Sequence, residues 1–189
     1  MDLEKFEEIK EHIKKVYLTY NRPFVVGYSG GKDSTATMQI VWNAIEEIPR
    51  ESLTNDIHII CVDTLVEQPY ILKFIDETLQ KIDEAARLKK LPIYANKLKP
   101  LLEKTFWINL IGKGYPAPSQ QFRWCTERLK IDPVNRFIEE QVAEFKEVTV
   151  VLGARSEESS SRQQVLGKKK RDPLGLSKHP TLLEAYVYT

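Results

Sequence analysis

The stretch FVVGYSGGKDSTATMQIVW, residues 24–42, constrains this chain more than any other part of it. A run of apolar, β-favouring residues ends in Ser29-Gly30-Gly31-Lys32-Asp33-Ser34, after which the apolar spacing becomes that of a helix. Glycines let the chain turn tightly and let backbone N–H groups approach a ligand with no Cβ in the way. A helix beginning at about Asp33 adds its own unpaired N–H groups and the positive end of its dipole, so the turn becomes a cradle for an anion. Lys32 adds a full positive charge at the rim. Together these features ask for phosphate, held where a strand hands over to a helix.

The intervals decide which kind of phosphate loop this is. A Walker A loop needs Gly-x-x-x-x-Gly-Lys-[Ser/Thr], but counting back from Gly31-Lys32 puts Val26 at the first glycine, and Asp33 follows the lysine. A dinucleotide G-x-G-x-x-G pattern fails as well, because Gly27, Gly30 and Gly31 have other spacings. The hexapeptide SGGKDS instead resembles the PP-loop of the ATP pyrophosphatase families. That resemblance implies an adenine nucleotide alpha hydrolase-like fold and ATP cleaved between its α- and β-phosphates, with Mg²⁺ bridging phosphate oxygens. It makes Ser29, Gly30, Gly31, Lys32, Asp33 and Ser34 the nucleotide-binding residues and gives Lys32 a catalytic part, offsetting the charge that grows on the departing pyrophosphate.

At 189 residues the chain is expected to form one well-cored domain spanning residues 1–189. Its formal net charge of +1 gives no global pull toward nucleic acid or membrane, so any such binding has to come from local patches. No apolar run reaches the length of a membrane span, and the N-terminal MDLEKFEEIKEHIKK lacks the apolar core of a signal peptide. The expectation is a cytoplasmic protein without membrane partners. Two cysteines, Cys61 and Cys125, are too few for a disulfide framework.

Periodicity supplies the organisation. Leu3, Phe6, Ile9, Ile13, Val16 and Tyr17 have helical spacing, PFVVGY reads as a buried strand, and Met38, Val41, Trp42, Ile45 and Ile48 mark the inward stripe of the next helix. DIHIICV is a second strand closed by Asp63-Thr64; Ile71, Phe74, Ile75, Leu79 and Ile82 mark a long helix after Pro69, and LPIYANK a short third strand. From about Pro100 to Pro133 the pattern loosens into aromatics, glycines and prolines, and a stretch that irregular inside a domain is more often functional than filler. VNRFIEEQVAEF returns to helical spacing, EVTVVLG and AYVYT read as strands, and ARSEESSSRQQVLGKKKRDPLG between them is polar. Strands alternating with helices imply an α/β fold, a parallel sheet sandwiched by helices, with ligands beyond the carboxyl ends of the strands. That rule brings three segments together: residues 29–34, Asp63-Thr64 and Gly153-Ala154-Arg155.

Several residues have two readings. Asp63 and Thr64 end a strand as VDT, where the PP-loop resemblance implies a place beside the nucleotide or, for Asp63, a share in holding Mg²⁺; a turn residue is the alternative. GARSEESSSR resembles the Gly-x-Arg segment of the sulfonucleotide reductase branch, which makes Gly153 and Arg155 nucleotide-binding candidates, Arg155 offering a planar fork for phosphate oxygens and Arg162 a second. Cys125 in FRWCTERLKIDP is flanked by Arg123, Arg128 and Lys130, and neighbouring cations favour the thiolate. Cys61 sits in an apolar strand as a small core residue. GKKKR at 167–171 is either a solvated loop or a contact to a phosphate backbone.

Four stretches taken together carry a narrower resemblance. GYSGGKDSTATMQIVWNAIEEIP, VDTLVEQP, TFWINLIGKGYPAPSQQFRWCTERLKIDPVNRFI and VVLGARSEESSSR resemble the DndC family of DNA phosphorothioation proteins, relatives of the phosphoadenosine phosphosulfate reductases, over most of residues 22–163. The resemblance implies an ATP-dependent sulfurtransferase that helps replace a non-bridging oxygen of the DNA backbone by sulfur, with DNA, a cysteine desulfurase and other Dnd proteins as partners. That family is associated with a [4Fe–4S] cluster, and a four-cysteine site cannot be built from Cys61 and Cys125 alone. The sequence, which stops within the strand-like AYVYT, is therefore expected to be the N-terminal part of a longer protein, with any cluster depending on cysteines outside it. Cys125 keeps two functional roles, catalytic sulfur carrier or iron–sulfur ligand, beside the alternative of a half-buried structural thiol on a short helix. Two other functions stay open: a sulfonucleotide reductase, which needs a nucleophilic cysteine near its C-terminus where none follows Cys125, and a nucleotide-binding scaffold without turnover.

Overall fold

The computed structural model describes residues 3–153 and 171–188. Strand β1 (Phe24–Gly27) is apolar at successive positions because both its faces are covered: Phe24 and Val26 enter one hydrophobic core and Val25 enters the other. The same division holds in β2 (Ile57–Val62), where Ile57, Ile59 and Cys61 face the first core and Ile60 the second. With β3 (Ile93–Leu98), β4 (Val148–Val151), β5 (Ser177–Lys178) and β6 (Ala185–Tyr188), the strands form a sheet of order β3-β2-β1-β4-β6-β5. Every neighbouring pair is parallel except β5 on β6.

Three long helices fill the first core: α1 (Leu3–Thr19) through Ile13, Val16 and Tyr17, α2 (Lys32–Glu46) through Val41 and Ile45, and α3 (Pro69–Lys89) through Ile75, Leu79 and Ile82. On the opposite face α4 (Trp124–Thr126) is a single turn that runs through a π-helical turn at Glu127–Ile131 into α5 (Asp132–Phe145), whose Ile138 is fully buried against Val25, Ile60 and Val148. The sheet is thus sandwiched as the alternation of periods predicts. Among the described residues no helix is long and apolar enough to cross a membrane.

Two features differ from the sequence reading. Strand β5 was not anticipated, because Ser177-Lys178 carries no apolar run; it pairs antiparallel with β6 and leaves the sheet mostly rather than wholly parallel. The loose stretch after Pro100 holds a second π-helical turn at Ile108–Gly112, and its aromatics clamp it. Trp124 stacks on Phe106 with centroids 5.4 Å apart, meets Tyr115 edge-on at 5.6 Å, and donates from Nε1 to Pro116 O at 3.0 Å.

The chain steps outward from β1 to β2 and β3, then returns to the other side of β1 as β4, so the order reverses between β1 and β4. In open α/β sheets the crevice beyond the carboxyl ends at such a reversal is where ligands bind.

Helix α3 ends at Lys90 in the left-handed conformation, φ 50° and ψ 47°, its N–H bonded to the carbonyls of Ala86 and Arg87. A Cβ is strained there and glycine is not. Lys90→Gly is expected to raise the stability by about 0.5–1 kcal/mol, read as a higher urea midpoint at unchanged slope. A lower midpoint would contradict it.

Candidate functional site

The loop between β1 and α2 is curled by its own hydroxyls. Ser34 Oγ donates to Gly31 O at 2.9 Å and accepts from Ser29 N–H at 3.1 Å, Ser29 Oγ lies 3.1 Å from Ser34 Oγ, and Thr35 Oγ1 also donates to Gly31 O, at 2.9 Å. Gly30 sits at φ +74°, a conformation that side chains strain to adopt. Gly31 is the residue before the helix and carries no side chain, so α2 begins without a capping hydrogen bond. The serines therefore brace the loop, and the backbone amides at the start of α2 are the groups left to meet a ligand. Lys32 stands exposed at the helix start and forms no ion pair among the described residues. Asp33 occupies the first turn, its carbonyl accepting from Thr37 Oγ1 at 3.0 Å.

Two walls close on this loop. At the exit of β4, a Cβ on Gly153 would lie 2.2 Å from Thr37 Oγ1 and 3.1 Å from Asp33 O, so only glycine lets that strand end pass against the first turns of α2. From the other side, Phe74 and Ile75 of α3 lie 3.9 Å from where a Cβ of Gly30 would stand. Residues 29–34, Asp63-Thr64 and Gly153 thus follow the three adjacent strands β1, β2 and β4. Arg155, Arg162 and the lysines of the 167–171 run lie outside the described residues.

Asp63 is 5% exposed and Thr64 2%. One carboxylate oxygen of Asp63 accepts from Leu65 N–H at 2.9 Å, which holds Leu65 at φ 62°; the other lies 3.5 Å from Lys97 Nζ. Lys97 also donates to Asp76 at 2.6 Å, and that hydrogen bond is the main reason its ammonium is held above its usual pKa. Thr64 Oγ1 donates to Glu67 at 3.0 Å. Both oxygens of Asp63 meet protein groups, and among the described residues no group of three or more His, Cys, Asp or Glu could hold a metal ion. The residues present do not fit a protein-built Mg²⁺ cage at Asp63.

The two cysteines differ in burial. Cys61 is buried on β2, and burial pushes its thiol up to about 11. Cys125 is half-buried in α4 beside the anchored Trp124. Of the expected cationic neighbours, Arg128 turns to Tyr115, donating to its hydroxyl at 2.8 Å and lying 5.0 Å from the ring centroid. The pair does not fit a four-thiolate cluster within this chain. Sequence reasoning missed Thr37, Phe74 and Lys97, whose places depend on which strands and helices become neighbours. The strand LPIYANK was legible, but its register against β2, which sets Lys97 opposite Cys61, was not.

The phosphoadenosine phosphosulfate reductase domain family matches residues 23–174. The uncharacterized protein MJ0066 of Methanocaldococcus jannaschii is 31% identical over 150 residues, 79% of this chain and 26% of that protein, so the chain spans about a quarter of the relative's length. Among solved structures, the U34-tRNA thiolase NcsA from Methanococcus maripaludis, solved with its [4Fe-4S] cluster, is similar over 96% of this chain and 57% of that one, at 17% identity and a TM-score of 0.50. The phosphoadenylyl-sulfate reductase of Candida auris, in a phosphate complex, covers 99% of this chain and 78% of its own at 12% identity, with a TM-score of 0.49. The first of these structures shares the fold: a mostly parallel sheet between helices.

Gly153→Ala is expected to destabilise the protein by about 1–3 kcal/mol through overpacking. Adding Thr37→Ala should restore part of the loss, since it removes the atom 2.2 Å from the new methyl but leaves Asp33 O at 3.1 Å. Melting of the two variants like wild type would contradict the close approach. Partial alkylation across a pH series, read by peptide mass spectrometry, should label Cys125 before Cys61, because the Cys61 thiol is buried and stays neutral well above neutral pH. Equal labelling would place both thiols in one environment.

Proposed function

The chain belongs to the phosphoadenosine phosphosulfate reductase domain family, and on that premise we propose that it is an ATP pyrophosphatase acting in sulfur transfer, activating a DNA backbone phosphate for replacement of a non-bridging oxygen by sulfur. The observation that carries the reading is the uncapped start of α2 behind Gly30 at φ +74°, set at the reversal of strand order. Amides fixed in that way favour an anion without reorganising to meet it. Ser29, Gly30, Gly31, Lys32, Asp33 and Ser34 are the proposed phosphate cradle and Gly153 its far wall, with Arg155 kept as a proposed phosphate-binding side chain.

In the proposed reaction a DNA phosphate oxygen attacks the α-phosphorus of ATP, and the bond from that phosphorus to the bridging oxygen breaks. Pyrophosphate leaves with its charge met by the loop amides and Lys32, and the DNA phosphate is left adenylated. A persulfide sulfur then attacks the DNA phosphorus and AMP departs with the oxygen. A thiol then attacks the carrier sulfur and the S–S bond breaks: the carrier leaves as a disulfide with that thiol, and the bonding pair stays with the sulfur on phosphorus. Cys125 is the group of this chain proposed to carry the sulfur or, in a protein supplying further cysteines, to ligate an iron–sulfur cluster such as the thiolase neighbour holds. Because this chain alone does not fit the cluster, no step is assigned to it. Any Mg²⁺ would ride on the phosphate oxygens of ATP.

DNA as the acceptor, with a cysteine desulfurase and other Dnd proteins as partners, rests on the resemblance of residues 105–138 to the DndC family. The thiolase neighbour acts on a tRNA, so sulfur placed on nucleic acid has a precedent on this fold.

Chromatography of a reaction with ATP and Mg²⁺ is expected to give AMP and pyrophosphate. ADP and orthophosphate as main products would remove the reading, and sulfite released from a sulfonucleotide would replace it with the reductase. Lys32→Ala should weaken ATP binding or turnover by about ten- to a hundredfold with an unchanged melt, since an exposed lysine contributes little to the fold. Calorimetry beside a thermal melt checks this, and unchanged binding and turnover would make the lysine a bystander.

A further inference from the structure

Asp63 poses a problem of charge. A carboxylate 5% exposed needs a partner, because an unpaired buried charge is far costlier than a paired one. No metal-binding group surrounds it among the described residues, and the cation that faces it is Lys97, at 3.5 Å. Lys97 reaches it from the neighbouring strand, opposite Cys61 in the parallel register, and its ammonium continues to Asp76 on α3 at 2.6 Å. Lys97 therefore ties the end of β2 to α3. Asp63 in turn holds Leu65 N–H, the contact that keeps this non-glycine residue at φ 62°. Two residues before Asp76 stands Phe74, whose ring edge lies against Gly30 of the phosphate loop.

We propose that Lys97 is a positioning residue of the nucleotide site: it is the built-in counter-charge of Asp63, and by joining Asp63 to Asp76 it fixes the 63–65 turn and the Phe74 edge of α3 against the phosphate loop. The inference deepens the reading of that loop as a nucleotide site and rests on it. Removing the ammonium leaves Asp63 buried and unpaired, so the turn that holds Leu65 opens toward water and α3 loses its tether two residues from the loop contact. Lys97 itself touches no ligand in this scheme. It acts through the shape of the wall.

The test is calorimetry with α,β-methylene ATP, well below the melting transition so that only folded molecules are counted, joined to thermal melts. Lys97→Met is expected to weaken binding by roughly five- to thirtyfold. Lys97→Arg should recover most of the loss, and Asp76→Asn, a change at an exposed carboxylate, should fall between. In the melts, Lys97→Met and Asp63→Asn should be non-additive, the double variant being more stable than the two single losses predict, because it leaves no unpaired buried charge, Asp76 being exposed to water. Lys73→Met, which removes an exposed partner of Glu77 on the same helix, should change neither readout. If wild type binds and Lys97→Met binds equally well, Lys97 positions nothing. If wild type does not bind, the nucleotide reading fails, while additive melts would separately refute the Lys97–Asp63 pair. Should Lys97→Met not fold, wild-type affinity in Asp76→Asn overturns the proposal, and weakened binding in Asp76→Asn with Lys97→Arg near wild type supports it.

Discussion

Helix α2 starts with backbone amides that no side chain caps, because the residue before it is Gly31 and the hydroxyls of Ser34 and Thr35 are spent on the Gly31 carbonyl. Unpaired amides at a helix start have to find water or a ligand. Everything around them keeps them turned outward. Gly30 supplies the left-handed turn, β1 fixes the entry of the loop by pairing with β2 and β4, and the buried stripe of α2 holds the helix on the sheet. On the proposed reading, an anion with two or more phosphates would satisfy the amides and the Lys32 ammonium together.

The sheet order determines what can stand beside this loop. Since the order reverses between β1 and β4, the segment after β4 comes close from one side, and the segment after β2 from the other. The two segments carry different devices. Gly153 gives up its side chain so that backbone can lie on the first turns of α2. Asp63 brings a buried charge, balanced by Lys97, which shapes a turn and links it to α3. The proposed phosphate site thus has one wall built by a close backbone approach at Gly153 and another built by the Phe74 and Ile75 edge of α3.

How much of this was legible in the sequence follows from how local each signal is. The strand–loop–helix at 24–42, the amphipathic helices and the strands at 57–62 and 148–151 depend on near neighbours, and they stand where periodicity put them. Gly153 was singled out by its place after a strand, though its contact with Thr37 could not be read before the strand order was known. Strand β5 lacks any apolar run, and Lys97 becomes the partner of Asp63 only through the register of β3 on β2. The aromatics after Pro100 announced an unusual segment, yet their stacking around Trp124 was not predictable from spacing. Signals that act across the chain are written in pairings, and a single sequence does not print those.

The central claim is that the amides after β1 hold the terminal phosphates of a nucleotide. A crystal structure with α,β-methylene ATP tests it most directly. The expected result has β- and γ-phosphate oxygens within hydrogen-bond distance of the backbone N–H groups of Gly31 and Lys32, with the α-phosphate directed to the open side of the crevice. A nucleotide bound elsewhere, with the loop from Ser29 to Ser34 holding only water, would contradict it.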